Sequence, residues 1–202
     1  MTSRLQFWFE FASPYSYLAA MRIEDLAAEF DVEIDWRPFL LGAIFKKDLG
    51  DADSPFNRQP KKSAYMWRDI SRQCTLRDLP PMQIPDPFPQ IGILPARIAC
   101  HLLTDSRLPH FVRSVYCGHF QRGENLGDSA LMQTVLSELG FDAGEILQHA
   151  KAPSAKQKLK FLTDEADKLG LFGAPFFVAE DGEAFWGDDR LETALQWACK
   201  TG

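Results

Sequence analysis

The stretch FEFASPYSYLAA, residues 9–20, decides how the chain is read. It begins inside RLQFWFEF (residues 4–11), an apolar, aromatic-rich run too short for a helix, which predicts a buried strand. Ser13 then stands where an N-cap belongs. Pro14 fills the first helical position, where its missing N–H costs nothing. PYSYLAAMRIEDLAAEF (14–30) carries Leu18, Met21, Ile23, Leu26 and Phe30 at roughly helical spacing and predicts one continuous helix. VEIDWRPF (32–39) alternates, with Val32, Ile34 and Trp36 on one face, and predicts a second strand. A strand, a helix and a strand in so short a span make a βαβ unit, with parallel strands and a right-handed crossover.

The centre of the chain changes character. LGAIFKKDLGDADSPFNRQPKK (41–62) is rich in Gly, Asp and Pro and predicts a loop with a short apolar start. DLPPMQIPDPFP (78–89) is excluded from regular helix or strand, because proline removes donors and restricts its neighbours. Helical patterns occupy 61–75, 92–104, 107–121, 128–140, 142–150 and 154–169. The end returns to strand: APFFVAEDGEAFWG (174–187) holds two apolar segments around Asp181-Gly182, a hairpin signal, and DDRLETALQWACK (188–200) predicts a closing helix with acid at its positive end. The order βαβ, helices, ββα predicts an α/β chain with a thioredoxin-like fold and a large all-helical insertion. Residues 1–40 and 170–202 would form the thioredoxin-like domain, residues 41–153 the insertion, and the helix over 154–169 would bridge back.

Composition narrows the function. The 202 residues are 46% hydrophobic and 25% charged, as in ordinary globular chains. A formal net charge of -6 leaves no excess of Lys and Arg to neutralise phosphates, which argues against a nucleic-acid partner. No apolar run reaches the roughly 18 residues of a membrane helix. The N-terminus lacks the basic and apolar regions of a secretory signal, so a cytoplasmic location without membrane association is expected. Cys74, Cys100, Cys117 and Cys199 include no C-x-x-C, and no metal site is expected; buried reduced thiols are. Of the scattered histidines, His110 and His119 are expected to face solvent or cap a helix.

In a thioredoxin-like fold the reactive group stands where the first strand gives way to the first helix. Ser13 and Ser16 hold both positions of a C-x-x-C there, so dithiol chemistry is excluded at that site. Two roles remain for Ser13: a simple helix cap, or a hydroxyl that donates to a bound thiolate and lowers its pKa. Ala174-Pro175 enters the penultimate strand, where a cis proline facing the first helix leaves its preceding backbone free to pair with an extended peptide. In FWGDDRLE (185–192), Gly187 permits close approach, while Asp188 and Asp189 either cap the last helix or hold an amino-acid group. Arg190 is expected to pair with a buried carboxylate.

FWFEFASPYSYLAA, WRPFLLGAIFK, NRQPKKSAYMWRD and GLFGAPFFVAEDGEAFWGDDRLE together span the chain. In their order and spacing they resemble the 2-hydroxychromene-2-carboxylate isomerase family of the DsbA-like superfamily, related to kappa-class glutathione transferases. The resemblance implies glutathione as cofactor, with Ser13 at its sulfur as the catalytic group. Ala174 and Pro175 would meet the cysteinyl unit, and Gly187, Asp188 and Asp189 the γ-glutamyl end, with Trp186 along that edge. It also implies that Lys46, Asn57 and Arg58 meet a small aromatic carboxylate substrate, and that the protein is a homodimer. Phe11, Tyr15, Phe45 and Trp67 are candidates for an apolar pocket wall. The expected activity is glutathione-dependent isomerisation. The competing readings are a kappa-type transferase and a non-catalytic DsbA-like binding module.

Overall fold

The computed structural model describes residues 3–201. Four strands form one mixed sheet in the order β2-β1-β3-β4. β1 (Ser3–Phe9) lies at its centre, parallel to β2 (Val32–Pro38) and antiparallel to β3 (Phe176–Ala179); β4 (Ala184–Trp186) is an edge strand antiparallel to β3. Phe7 shows why an aromatic run makes the central strand. It pairs with Trp36 on one side and Phe177 on the other, and its ring meets Trp36 edge-on at 4.9 Å and stacks on Phe177 at 5.5 Å. Burying side chains of this size stabilises a fold by about 1.5–3 kcal/mol each. Gly182, at φ +87, makes the turn between β3 and β4, as the Asp-Gly signal predicts.

The first helix is split where one continuous helix was expected. α1 (Pro14–Ala20) ends at Met21, and α2 (Ile23–Glu29) starts after Arg22, which leaves helical geometry at φ -132. This single excursion lets the Arg22 guanidinium reach the backbone and carboxylate of Asp188. Periodicity conceals such a break, because Leu18 and Ile23, on either side of it, are both buried.

A second correction falls on 41–62. Leu41–Leu49 is a helix, α3, with Ile44 buried and Gly50 closing it at φ 75. The glycine that suggested a loop is the C-terminal stop that only Gly supplies without strain. The remaining helices are α4 (Pro60–Leu76), α5 (Ile93–His101), α6 (Leu108–Tyr116), α7 (Ser129–Glu138), α8 (Ala143–Lys151), α9 (Pro153–Lys168) and α10 (Leu191–Thr201). A π-helical turn over Cys117–Gln121 extends α6, and a 3-10 turn over Asp188–Arg190 leads into α10. The proline-rich segment 78–89 has neither helix nor strand, and it contains cis bonds at Asp86-Pro87 and Phe88-Pro89.

Two side chains lie deeper than expected. Phe11 belongs to the core rather than a pocket wall, with its ring 5.4 Å from that of Tyr116. His119 is fully buried in the π-helical turn, with Nδ1 3.0 Å from the Glu124 carbonyl oxygen, and burial lowers its pKa. The four cysteines are free thiols, Cys74 and Cys100 buried and Cys199 exposed. Among the described residues no helix is long and apolar enough to cross a membrane.

Candidate functional site

Ser13 sits at the junction of β1 and α1 with extended dihedrals, as an N-cap must. Its Oγ accepts the N–H of Ser16 at 3.1 Å and donates to the carbonyl of Ala174 at 2.9 Å. The Ala174-Pro175 peptide is cis, and the Pro175 carbonyl accepts the N–H of Gly187 at 3.0 Å. Ser13, Ala174, Pro175 and Gly187 are thus joined by successive hydrogen bonds, although sequence separates the first from the rest by most of the chain. The N–H groups of Tyr15 and Ala174 have no partner among the described residues. Ala174 is half-buried.

Gly187 adopts φ +104, and a Cβ there would lie 2.7 Å from Asp189 Oδ1. The positive φ requires glycine, and a Cβ would also push the exposed Asp189 carboxylate aside. Trp186 is 54% exposed and packs edge-on against Phe172 at 4.8 Å. Gly173 makes room for it, since a Cβ there would sit 2.2 Å from the indole nitrogen.

The two aspartates that follow differ sharply. Asp188 is buried, and both its oxygens are engaged: Arg77 Nη1 and Nη2 donate at 3.1 and 2.6 Å, and Arg22 Nε at 3.3 Å. Arg22 Nη2 also donates to the Asp188 carbonyl at 2.7 Å. The Asp188 carboxylate thus clamps together the start of α2, the end of α4 and the turn before α10. Asp189 projects outward and meets only Arg190, at 3.3 Å, both side chains being more than half exposed. The partner expected for Arg190, a buried carboxylate, belongs instead to Arg22 and Arg77. Neither arginine stood out in the sequence, because single basic residues at helix ends are common.

The three loop residues separate as well. Asn57 Nδ2 donates to Asp53 Oδ1 and to the Phe88 carbonyl, both at 2.7 Å, tying its loop to the proline-rich segment. Arg58 pairs with Asp51. Neither bonds to the Ser13–Ala174–Gly187 group. Lys46, exposed on α3, has no acidic partner among the described residues. Tyr15 donates to Asp69 Oδ2 on α4 at 3.1 Å, and burial, then the Asp69 charge, raises its phenol pKa above the ordinary value. Trp67 packs edge-on against Phe88 at 4.8 Å. Phe45 is half-buried.

Glu10 was missed. It directly follows β1, three residues before Ser13, is buried, and its carboxylate accepts the N–H of Leu41 at 2.9 Å and of Ala12 at 3.4 Å. Burial pushes its pKa from the ordinary 4.5 to about 7, against the lowering effect of the backbone N–H groups of Leu41, Ala12 and Phe11. The signal was present in FWFEFA, as one acid inside a run otherwise apolar.

With residues 4–196 matching the DSBA-like thioredoxin domain, the chain belongs to that family. Within it, the chain is 26% identical over 201 residues to the 2-hydroxychromene-2-carboxylate isomerase of Sphingobium xenophagum, the match covering 95% of this chain and 96% of that protein. It is likewise 26% identical over 205 residues to glutathione S-transferase kappa 1 of Homo sapiens, covering 93% and 87%. A solved structure of a 2-hydroxychromene-2-carboxylate isomerase superposes with a TM-score of 0.84 at 25% identity, over 98% of this chain and 96% of that one.

Proposed function

We propose that the protein is a glutathione-dependent isomerase of the 2-hydroxychromene-2-carboxylate type. The observation that carries this reading is the Ser13 hydroxyl, held 2.9 Å from the carbonyl before cis-Pro175 at a helix start that has no thiol of its own. Such a site suits a thiol brought by a ligand. The residues present fit glutathione: the free N–H and the carbonyl of Ala174 offer strand-like pairing to an extended peptide, and Asp189 offers an exposed carboxylate to an ammonium group. When bound, glutathione would supply a thiolate able to add reversibly to an unsaturated carboxylate.

The chain's own residues prepare that chemistry. With glutathione bound, the Ser13 hydroxyl, which here donates to the Ala174 carbonyl, and the free Tyr15 N–H would hold its thiol and favour the charged form. Ser16, through its N–H, holds Ser13 in place. Lys46, free of an acid, supplies positive charge for the carboxylate of the organic substrate. Tyr15, Phe45 and Trp67 contribute apolar wall. Asp188 with Arg22 and Arg77 fixes the turn from which Gly187 and Asp189 meet the γ-glutamyl end, and Trp186 borders it.

A kappa-type transferase is the second reading, favoured by the equal identity to the human transferase. One experiment separates them. Incubate the protein with 2-hydroxychromene-2-carboxylate and glutathione, following the spectrum of the organic acid and the free thiol together. Isomerisation changes the spectrum, requires glutathione and leaves its concentration constant. A transferase consumes it stoichiometrically. No spectral change with or without glutathione removes the isomerase reading.

A further inference from the structure

Glu10 occupies a place that capping alone does not explain. α3 begins at Leu41, and its N-cap, Leu40, has no side chain able to cap. The Glu10 carboxylate serves instead: Oε2 accepts the Leu41 N–H at 2.9 Å, placing negative charge at the positive end of the helix. The same residue builds the turn that carries Ser13. Its main-chain carbonyl accepts the Ser13 N–H at 3.0 Å and the Tyr116 hydroxyl at 2.9 Å, and its Oε1 accepts the Ala12 N–H at 3.4 Å. One side chain thus joins the turn bearing the hydroxyl to the helix bearing Lys46.

The surroundings of this carboxylate are buried and hold no charged partner among the described residues. Gly92 closes over it so tightly that a Cβ there would lie 3.0 Å from Oε1. Tyr116 on α6 and Ser16 on α1 bond to the Glu10 main chain, and the carboxylate itself meets the N–H groups of Leu41 on α3 and of Phe11 and Ala12 in its own turn. No Arg, Lys or His pairs with it among the described residues. A neutral amide could accept only one of the Leu41 and Ala12 N–H groups, because its nitrogen donates and does not accept, so the side chain that accepts both carries the desolvation of an unpaired buried charge. Retaining a charge in such a place points to use at a functional site.

We propose that Glu10 is a positioning residue: its ionised carboxylate locks the first turn of α3, and with it Lys46, against the Ser13 turn. When α3 loosens with the carboxylate still enclosed, the loss of the Leu41 donor raises the Glu10 pKa further, so protonation favours the loosened form. The organic-substrate side of the site therefore tightens as pH rises through the titration of Glu10, which burial places near 7. The substrate part of this proposal rests on the isomerase reading above; the coupling of Glu10 to α3 does not.

Two measurements test it on the intact protein. Amide hydrogen exchange at Leu41 and its helical neighbours needs no turnover. In the wild type, protection of the first turn of α3 falls as pH drops through about 7. In Glu10→Gln it is low and independent of pH, and in Glu10→Asp the pH dependence returns in part. Equal protection in wild type and Glu10→Gln at every pH overturns the proposal. The second measurement is steady-state kinetics with 2-hydroxychromene-2-carboxylate at saturating glutathione. Glu10→Gln raises KM for the organic acid by roughly tenfold to a hundredfold, as misplacement of a binding group does. It also abolishes the acidic limb of the kcat/KM profile, while the glutathione Kd from calorimetry stays near wild type. A variant that keeps both the limb and the KM overturns the positioning role. A wild type that neither turns over the acid nor binds glutathione overturns the isomerase reading instead, and the exchange data then still decide the coupling.

Discussion

The Ser13 hydroxyl donates its only hydrogen to the carbonyl of Ala174, at 2.9 Å and across 161 positions of sequence. A thiolate arriving between them competes with that carbonyl for the same hydrogen, so the hydroxyl must turn from Ala174 to the sulfur. Ser13→Ala removes both the cap and this donor. The expected loss of stability is about 1 kcal/mol for the cap. The larger effect falls on the ligand: the thiol of bound glutathione titrates at higher pH in the variant. Thiolate absorbance followed against pH in both complexes checks this, and superimposable curves would remove Ser13 from the chemistry.

The Asp188 clamp leads to a prediction about stability rather than binding. Removing the whole partner of a buried charge costs about 3–5 kcal/mol, and Arg77→Ala should cost part of that, because Arg22 still pairs with Asp188. Arg77→Ala should therefore lower the apo melting temperature. Arg190→Ala, whose partner is solvent-exposed, should change stability by no more than about 1 kcal/mol. Thermal unfolding of both variants decides it, and equal melting temperatures would mean that the clamp contributes nothing.

Asp189 behaves in the opposite way. Asp189→Asn should leave the apo melting temperature nearly unchanged and weaken glutathione binding by roughly 1–3 kcal/mol, the cost of leaving a charged ligand group without its acceptor. Calorimetric titration with glutathione measures it. Wild-type affinity in the variant would place the ammonium group elsewhere.

Glu10 makes the pH dependence of stability calculable. Below about 4.5 the group is protonated in both folded and unfolded chains and contributes nothing to the difference. As pH rises toward 7 the unfolded chain releases the proton while the folded chain keeps it, so stability falls; above that range the penalty is constant. A displacement of this size corresponds to roughly 3 kcal/mol. Urea unfolding of the wild type should show stability falling between about pH 4 and pH 8, a slope that Glu10→Gln lacks. Parallel curves over that interval would show that Glu10 is ionised in both states.

The fold was legible because its strong signals are local. An aromatic run, a Ser-Pro cap and an Asp-Gly turn each name an element, and their order names the sheet. What escaped depended on distant partners. The break at Arg22 exists to reach Asp188, and α3 was hidden because Gly50 and the aspartates beyond it have loop composition whether or not a helix precedes them. The site divides in the same way. Ser13, Pro175 and Gly187 could be picked out because backbone geometry limits which residues can stand there. Asp188 and Asp189 are indistinguishable as letters, and only Arg22 and Arg77 make one a buried clamp while the other stays at the surface beside Arg190. Glu10 was overlooked because its importance comes from Leu41, thirty-one positions away.

The hydroxyls at the start of α1 also bear on durability. A cysteine in that position climbs under peroxide to sulfinic acid, which most cells do not reverse. Serine has no such ladder. The thiols the chain does carry lie elsewhere: Cys100 is buried, its pKa pushed up to about 12, and the exposed Cys199 is on α10. If the working sulfur arrives with a ligand, an oxidised one leaves with it and is exchanged for a fresh molecule, so the part most exposed to chemical wear is the one that never has to be resynthesised with the protein.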